Sequence, residues 1–192
     1  MKASQILSTA VLAAVSLAQT PPGFTPSVTA KLEVIFGTKA VSEPGLSLTR
    51  QDLKTAHDRD GHPSERDCLS VDADCSTNFA NPGAGQPATY LHTVIRDFAP
   101  SASPDAGGVY ALRTTQTGPV AWFPPMPPAQ NPPHPHRYTN LLWEQPGGSG
   151  WAIPQSAGSM MQSQKLGFNV ANFQTAAGLQ NPVAAVWFNV TG

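Results

Sequence analysis

Three separate segments of the sequence place histidine, tyrosine or aspartate beside a strand-like run and a loop rich in proline or glycine. They are VDADC (71–75), YLHTVIRDF (90–98) and PPMPPAQNPPHPHRY (124–138). Imidazole and phenol groups donate hydrogen bonds to oxyanions, and a carboxylate can hold a neighbouring imidazole in one tautomer. Rigid proline loops lower the entropy cost of ordering a binding site. The segments therefore predict a small-anion site, provided that the fold brings them together.

Each of these residues also has a purely structural interpretation, and the residues alone leave both interpretations open. His92 lies inside a predicted strand, where a histidine is often a hydrogen-bonded core residue. Arg137 can pair with an acid or a carbonyl group, and Tyr138 can be a core residue whose hydroxyl is bonded.

The residues support a metal site or a hydrolase less well. His57 and His62 flank two aspartates, but the segment lacks the further ligands of a calcium loop or a zinc site, so we interpret it as a solvated loop. The sequence contains no G-x-S-x-G turn that would expose a nucleophilic serine. We therefore expect no bound metal, no cofactor and no catalytic residue.

Composition narrows the class of protein. The 192 residues are enough for one domain with a core. Only 12% of them are charged and the formal net charge is −1, which argues against nucleic acid as a partner. The chain contains 20 prolines and 16 glycines, a composition that favours short β-strands joined by long loops.

The first 18 residues are typical of a secretory signal peptide. Lys2 provides the positive charge, residues 6–15 are mostly apolar, and small residues precede a cleavage site before Gln19. No other run approaches the ~20 apolar residues that span a bilayer. We expect a secreted protein with no transmembrane segment and a single domain over residues 19–192.

Export to an oxidising compartment would permit two covalent modifications of this sequence. Cys68 and Cys75 permit one disulfide. The bond requires the chain to reverse near residues 72–74, because an extended segment would hold the two Cα atoms about 23 Å apart. Asn189 begins the sequon NVT, which predicts a glycosylation site.

Hydrophobic patterning predicts a mostly antiparallel β domain. Strands are expected within residues 31–37, on both sides of a turn at 44–45, and within 68–74, 88–98, 109–125, 138–145 and 181–190. One helix is expected late in the chain, where Asn169 is a capping residue and Gly178 can end the helix.

Taken in order, these features resemble the phosphatidylethanolamine-binding protein family, which includes the Raf kinase inhibitor proteins and the yeast carboxypeptidase Y inhibitor. The family has a strand-ending Asp-Pro-Asp, a strand histidine, and a proline-rich loop closed by His-Arg-Tyr. This sequence has DAD at 72–74, His92, and HRY at 136–138, and its segment 168–190 resembles the family's last helix and strand. The resemblance covers nearly all of the mature chain and implies an antiparallel β-sandwich with a short C-terminal helix.

The resemblance also implies a surface pocket for phosphate, acetate or the head group of phosphatidylethanolamine. Carried over by position, the pocket residues are Asp72, Tyr90, His92, Pro127, Pro128, His136 and Tyr138. The sequence departs from the family pattern in four places. Ala73 replaces the middle proline of Asp-Pro-Asp, Met126 stands where glycine is usual, and the loop from Pro128 to His136 is longer. In addition, Asp72 comes only nine residues after Pro63, where the family has a longer segment with a further strand, so either that strand is shortened or residues 49–67 replace it with an irregular segment.

We therefore expect a secreted monomer that binds a small anion or a phospholipid head group. The alternative is an inhibitor of a serine carboxypeptidase or a serine protease, which some family members are, although no reactive-site loop can be named here. A hydrolase that uses His92, His136 and Asp72 is a third hypothesis, and it lacks a persuasive nucleophile.

Overall fold

The computed structural model describes residues 18–53, 66–76 and 87–192, and within these ranges the chain is mostly β. The strands are β1 Val34–Phe36, β2 Lys39–Val41, β3 Leu46–Leu48, β4 Arg66–Ser76, β5 Pro87–Pro100, β6 Leu112–Arg113, β7 Pro119–Val120, β8 Pro135–Glu144 and β9 Ala184–Thr191. The helices are α1 Gln155–Ser163 and α2 Val170–Ala177. Residues 1–17 of the expected signal peptide, and the segment with His57 and His62, lie outside the described residues.

The described strands form one large and one small sheet. The large sheet has seven strands in the order β3-β9-β8-β4-β5-β6, with β7 also paired to β5, and β1 and β2 form a separate pair. Every pair is antiparallel except β3 with β9. The central position of β4, between β5 and β8, determines where the site lies. The expected class, a mostly β antiparallel sandwich, is confirmed.

Both faces of the large sheet are covered by apolar side chains. Because side chains alternate along a strand, Leu141 of β8 packs towards the helices and Leu142 towards β1 and β2. The helix side includes Phe173 of α2, and the opposite side includes Phe36 of β1, whose ring centroid lies 5.4 Å from that of Phe188. Burial of each such side chain stabilises the fold by about 1.5–3 kcal/mol, so β8 is fixed from both sides.

The predicted late helix is confirmed together with both of its ends. The side chain of Asn169 accepts a hydrogen bond from the backbone N–H of Asn172 at 2.9 Å, which satisfies one of the donors that a helix leaves open at its start. Gly178 ends α2 in the left-handed conformation, with φ of 70°, which glycine adopts without steric cost.

Helix α1 was not predicted from the sequence. Its sequence QSAGSMMQS buries only Ala157 and Met161, so its apolar stripe is too narrow to recognise. Its N-cap is Pro154, which makes no side-chain capping hydrogen bond. Among the described residues, no helix is long and apolar enough to cross a membrane.

The predicted disulfide between Cys68 and Cys75 is wrong for this fold. Both residues belong to the single strand β4, which continues through residues 72–74 without reversing. Seven residues of strand separate two Cα atoms by about 23 Å, whereas a disulfide needs about 5.5 Å. The backbone of β4 therefore does not allow this bond.

The sequon at Asn189 lies inside β9 and not in a surface loop. Asn189 is paired with Ser47 of β3 on one side and with Arg137 of β8 on the other. Its side-chain nitrogen, the atom that would carry a glycan, donates a hydrogen bond to the carbonyl of Gly45 at 3.0 Å. The folded protein does not present this residue in the exposed form that glycosylation requires, so the predicted glycosylation site does not fit the fold.

We expect the Asn169→Ala variant to lower the free energy of unfolding by about 1 kcal/mol, because it removes the N-cap of α2. Chemical denaturation would measure this loss. Asn172→Ala is the matched control, since this exposed residue contributes only its backbone N–H to the cap. An equal loss in both variants would contradict a capping role for Asn169.

Candidate functional site

The register of the large sheet places one aspartate between two tyrosines. Asp72 of β4 lies opposite Tyr90 of β5 on one side and Tyr138 of β8 on the other. Directly opposite residues in antiparallel strands have side chains on one face, with Cβ atoms about 5 Å apart. Alternation along β8 puts His136 on the face of Tyr138. His92 lies at a register shift of β5 against β4, and its ring contacts those of both tyrosines, so the two imidazoles share one face. Sheet pairing thus brings together residues that are 64 positions apart in the chain.

Asp72 is a buried carboxylate that accepts several hydrogen bonds. Its Oδ2 accepts from Nδ1 of His136 at 2.8 Å, and its Oδ1 accepts from the backbone N–H of Asp74 at 2.8 Å. The hydroxyl of Tyr138 also bonds to Asp72; burial first, and then the charge of Asp72, raises the pKa of this tyrosine, so it remains a protonated donor. The side chains of Asp72 and His136 are only 4% and 1% exposed. These bonds, and not water, compensate for the buried charge.

His92 is held in one tautomer by a backbone carbonyl. Its Nδ1–H donates to the carbonyl oxygen of Phe123 at 2.7 Å, and its ring contacts those of Tyr90, Phe123 and Tyr138 with centroids 5.1–5.4 Å apart. Burial lowers the pKa of His92, although the Phe123 carbonyl and the charge of Asp72 oppose this shift. The neutral ring therefore has Nε2 as an acceptor, and an oxyanion would bind there only together with a proton.

A β-bulge at the end of β4 separates the roles of two aspartates. Between Asp72 and Cys75 the register against β5 shifts by one residue. Asp74 accepts hydrogen bonds from the backbone N–H, Nε and Nη2 of Arg137 at 2.9, 2.7 and 2.6 Å. Burial opposes ionisation of Asp74, but these bonds outweigh it and hold its pKa below the usual range. The interpretation of Arg137 as the partner of an acid is confirmed.

The seven predicted site residues all line one pocket, whose cavity volume is about 270 Å³. Its full lining is Asp72, Cys75, Tyr90, His92, Phe123, Met126, Pro127, Pro128, His136 and Tyr138. Met126, which replaces the usual glycine, is 61% exposed. It lines the pocket without filling it, so the cavity remains open.

Gln130 is a further polar residue of the site that sequence reasoning missed. Its side-chain Nε2 lies 3.2 Å from Nε2 of His136. Because Asp72 takes the Nδ1–H of this histidine, Gln130 donates to the lone pair on the opposite nitrogen. Both ring nitrogens of His136 are therefore engaged within the protein. The longer loop between Pro128 and His136 was the only signal in the sequence for this contact.

A second cavity of about 360 Å³ lies on the other side of β4, between the segment 21–25 and the start of α2. Arg137 is the only ionisable residue in its lining, and Asp74 already pairs with it. Although this cavity is larger, its lining contains fewer ionisable side chains than the lining of the first pocket. Within the described ranges, no group of three histidine, cysteine, aspartate or glutamate residues is arranged to hold a metal ion.

Comparison with known proteins identifies the same fold and family. The family model described as phosphatidylethanolamine-binding protein matches residues 30–185. A curated relative, the phomoidride biosynthesis cluster protein N of Talaromyces stipitatus, is 28% identical over 88% of each chain.

Two solved structures share the fold at low sequence identity. A carboxypeptidase Y inhibitor, solved in complex with its cognate proteinase, is 16% identical with a TM-score of 0.60, covering 85% of this chain and 84% of the inhibitor. A phosphatidylethanolamine-binding protein from Plasmodium vivax is 13% identical with a TM-score of 0.51, covering 88% of this chain and 91% of that one.

We expect the stability of the protein to fall as the pH drops below about 6.5, because the unfolded chain then protonates His92 and the folded protein resists it. The folded pKa is lowered, so the contribution is complete above the unfolded pKa and is lost below it. Chemical denaturation between pH 7.5 and 5.5 would show a decline of up to about 1.4 kcal/mol per pH unit from this group. His92→Gln should decline less steeply, and equal slopes would contradict the assignment.

Proposed function

The chain belongs to the phosphatidylethanolamine-binding protein family, and on that premise we propose that it binds small oxyanions and phospholipid head groups in the pocket between β4, β5 and β8. The observation that carries the proposal is the buried hydrogen bond of 2.8 Å between His136 and Asp72 in the wall of this pocket. The volume of about 270 Å³ is at the small end for ligand sites, since drug-sized molecules use about 300–1,000 Å³. It suits a head group.

The imidazole rings of His92 and His136 supply the donors for an oxyanion. The Nδ1–H of His92 already donates to the carbonyl of Phe123, and the Nδ1–H of His136 donates to the carboxylate of Asp72. A ligand would therefore use the Nε2 atoms, which become charge-assisted donors when the rings are protonated. Asp72 accepts three hydrogen bonds within the protein, from His136, the backbone of Asp74 and Tyr138, so one further lone pair of its carboxylate can accept from the ammonium group of ethanolamine.

Binding without catalysis is the activity that we propose. Among the described residues that line the pocket, Cys75 is the only thiol. Burial, helped by the charge of Asp72, raises the pKa of Cys75 to about 11. The thiol is therefore protonated near neutral pH and is a poor nucleophile. The pKa of Tyr138 is also raised by burial, so its hydroxyl stays protonated near neutral pH and does not supply a phenolate nucleophile.

Export from the cell is part of the proposal. It rests on the signal-like sequence of residues 1–18. In that reading the mature protein is a single domain that begins near Gln19 and acts as a monomer outside the cell.

Protease inhibition is a second candidate function. Its supporting observation is the TM-score of 0.60 with the carboxypeptidase Y inhibitor. Identity of 16% makes this a likeness of fold, so we rank inhibition below anion binding. An assay of a serine carboxypeptidase with and without the purified protein would test this function separately.

We expect the purified protein to bind phosphorylethanolamine in a calorimetric titration, and the His136→Ala variant to bind it at least about tenfold more weakly. The magnitude is that of one hydrogen bond to a charged group, about 1.5–3 kcal/mol. Inorganic phosphate and ethanolamine, titrated separately, would show which half of the ligand the pocket recognises.

His134→Ala is the matched control for this titration. His134 is an exposed histidine two residues away, and its ring does not line the pocket. It should bind phosphorylethanolamine as the unmodified protein does. No binding by any of the three proteins, or equal loss in both variants, would overturn the proposal.

We expect the Gln130→Ala variant to bind phosphorylethanolamine about two- to tenfold more tightly, because the ligand no longer has to displace the Gln130 amide from Nε2 of His136. The same titration would measure this gain, with Asn131→Ala, the adjacent exposed amide, as the control. Weaker binding by Gln130→Ala would show instead that the amide donates to the ligand.

A further inference from the structure

We propose that the second cavity, between the segment 21–25 and the start of α2, is a binding site for a small carboxylic acid with an apolar group. The guanidinium of Arg137 binds the carboxylate, and the aromatic and proline side chains of the lining contact the apolar group. This inference goes beyond the proposed function, because the second cavity shares no lining residue with the pocket between β4, β5 and β8.

The guanidinium of Arg137 is bound by Asp74 along one of its edges only. The carboxylate of Asp74 accepts from Nε at 2.7 Å and from Nη2 at 2.6 Å. A guanidinium has five N–H groups, so this pairing leaves both hydrogens of Nη1 and one hydrogen of Nη2. Two parallel N–H groups on one edge match the two oxygens of a carboxylate. Arg137 can therefore bind a second carboxylate while it remains paired with Asp74.

The remaining edge of this guanidinium lies at the wall of the second cavity. Nη1 lies 3.4 Å from the carbonyl oxygen of Pro22, and both Pro22 and Arg137 line the cavity. That separation exceeds the usual N–H···O range of about 2.7–3.2 Å, so a carboxylate that binds Nη1 displaces only a weak contact. The side chain of Asp74 is 6% exposed, and it holds the guanidinium in one orientation before a ligand binds. Such preorganisation lowers the entropy cost of binding.

The charges around the second cavity favour a ligand with a single negative charge. Arg137 is the only ionisable residue of the lining, so the lining itself contains no carboxylate that would repel the ligand. The charges of Arg137 and Asp74 balance each other. Val170 and Ala171 belong to the lining and to the first turn of α2, where the helix dipole adds a small positive potential. This weak positive potential suits a carboxylate better than a doubly charged phosphate.

Apolar side chains provide the rest of the binding surface. Phe168 and Val170 are 1% and 3% exposed, and Phe24 is half-buried. The backbone N–H of Phe24 donates to the carbonyl of Pro21 at 3.0 Å, so this wall is a hydrogen-bonded turn. The cavity volume of about 360 Å³ falls in the range of small-molecule sites, about 300–1,000 Å³. The second cavity is therefore large enough for one ring and a short acid chain.

The test is a calorimetric titration of the protein with 3-phenylpropionate and with its neutral amide. Two variants alter the second cavity by different routes. Arg137→Lys keeps a cation beside Asp74 but lacks the planar edge, and Ala171→Phe fills the cavity from the start of α2. The matched control is Asn172→Phe, which adds the same ring at the next position, where the residue is exposed and does not line the cavity.

We expect the unmodified protein and the control to bind 3-phenylpropionate alike, and both cavity variants to bind it at least about tenfold more weakly. The neutral amide should bind the unmodified protein at least about tenfold more weakly than the acid does. Saturating phosphorylethanolamine should leave the binding of the acid unchanged, because the two sites share no residue.

Three results would overturn this site. They are no binding of 3-phenylpropionate, equal binding by the unmodified protein and Ala171→Phe, and loss of binding when phosphorylethanolamine is added, which would place the acid in the first pocket. Equal binding of the acid and the amide would overturn the role of Arg137. If Arg137→Lys does not fold, Ala171→Phe and the amide decide the question. Binding of the acid without any binding of phosphorylethanolamine would support this site and refute the proposed function.

A free organic acid and the carboxyl terminus of a peptide present the same chemistry to Arg137. A titration with a short peptide that ends in phenylalanine, with its terminus either free or amidated, distinguishes these sources. Binding of the free-terminus peptide as tightly as 3-phenylpropionate would support the site with peptide termini as its ligands. Binding of 3-phenylpropionate alone would support the site with small organic acids as its ligands.

Discussion

The arrangement of the site depends on the burial of one carboxylate, that of Asp72, at the centre of the sheet. An ionised carboxylate without partners would be too costly there, so the residues around it must donate. His136, Tyr138 and the backbone of Asp74 do so. This requirement fixes the tautomer of His136 and keeps Tyr138 protonated. The hydrogen bond that links β4 to β8 through Asp72 and His136 therefore also fixes which ring nitrogen of His136 carries the hydrogen.

The bulge in β4 explains why two aspartates one residue apart have different partners. In a regular strand, residues 72 and 74 would face the same side. The register shift between Asp72 and Cys75 changes the direction in which the side chain of Asp74 points. Asp74 then accepts three hydrogen bonds from Arg137. Arg137 therefore does not line the pocket, although it lies between the pocket residues His136 and Tyr138 in the sequence. Among the described residues that line the pocket, His92 and His136 are then the only side chains that can carry a positive charge.

Much of the fold and the grouping of the seven site residues were predictable, because these depend on local signals and on a resemblance. The Asn169 cap and the Gly178 stop depend on the chemistry of single residues. The disulfide was mispredicted because it needed a reversal at residues 72–74, and pairing of β4 with strands on both sides keeps that segment extended. The contact of Gln130 with His136 was missed because it depends on the path of an irregular loop, which no periodicity describes.

The polar groups of the pocket already make hydrogen bonds within the protein, and this limits the binding free energy that a free head group can gain. Nδ1 of His92, both nitrogens of His136 and the hydroxyl of Tyr138 already have partners, and an exchanged hydrogen bond contributes only about 0.5–1.5 kcal/mol. Under the proposed function, a head group must therefore replace bonds that the protein already makes, and its charge is what such an exchange can add.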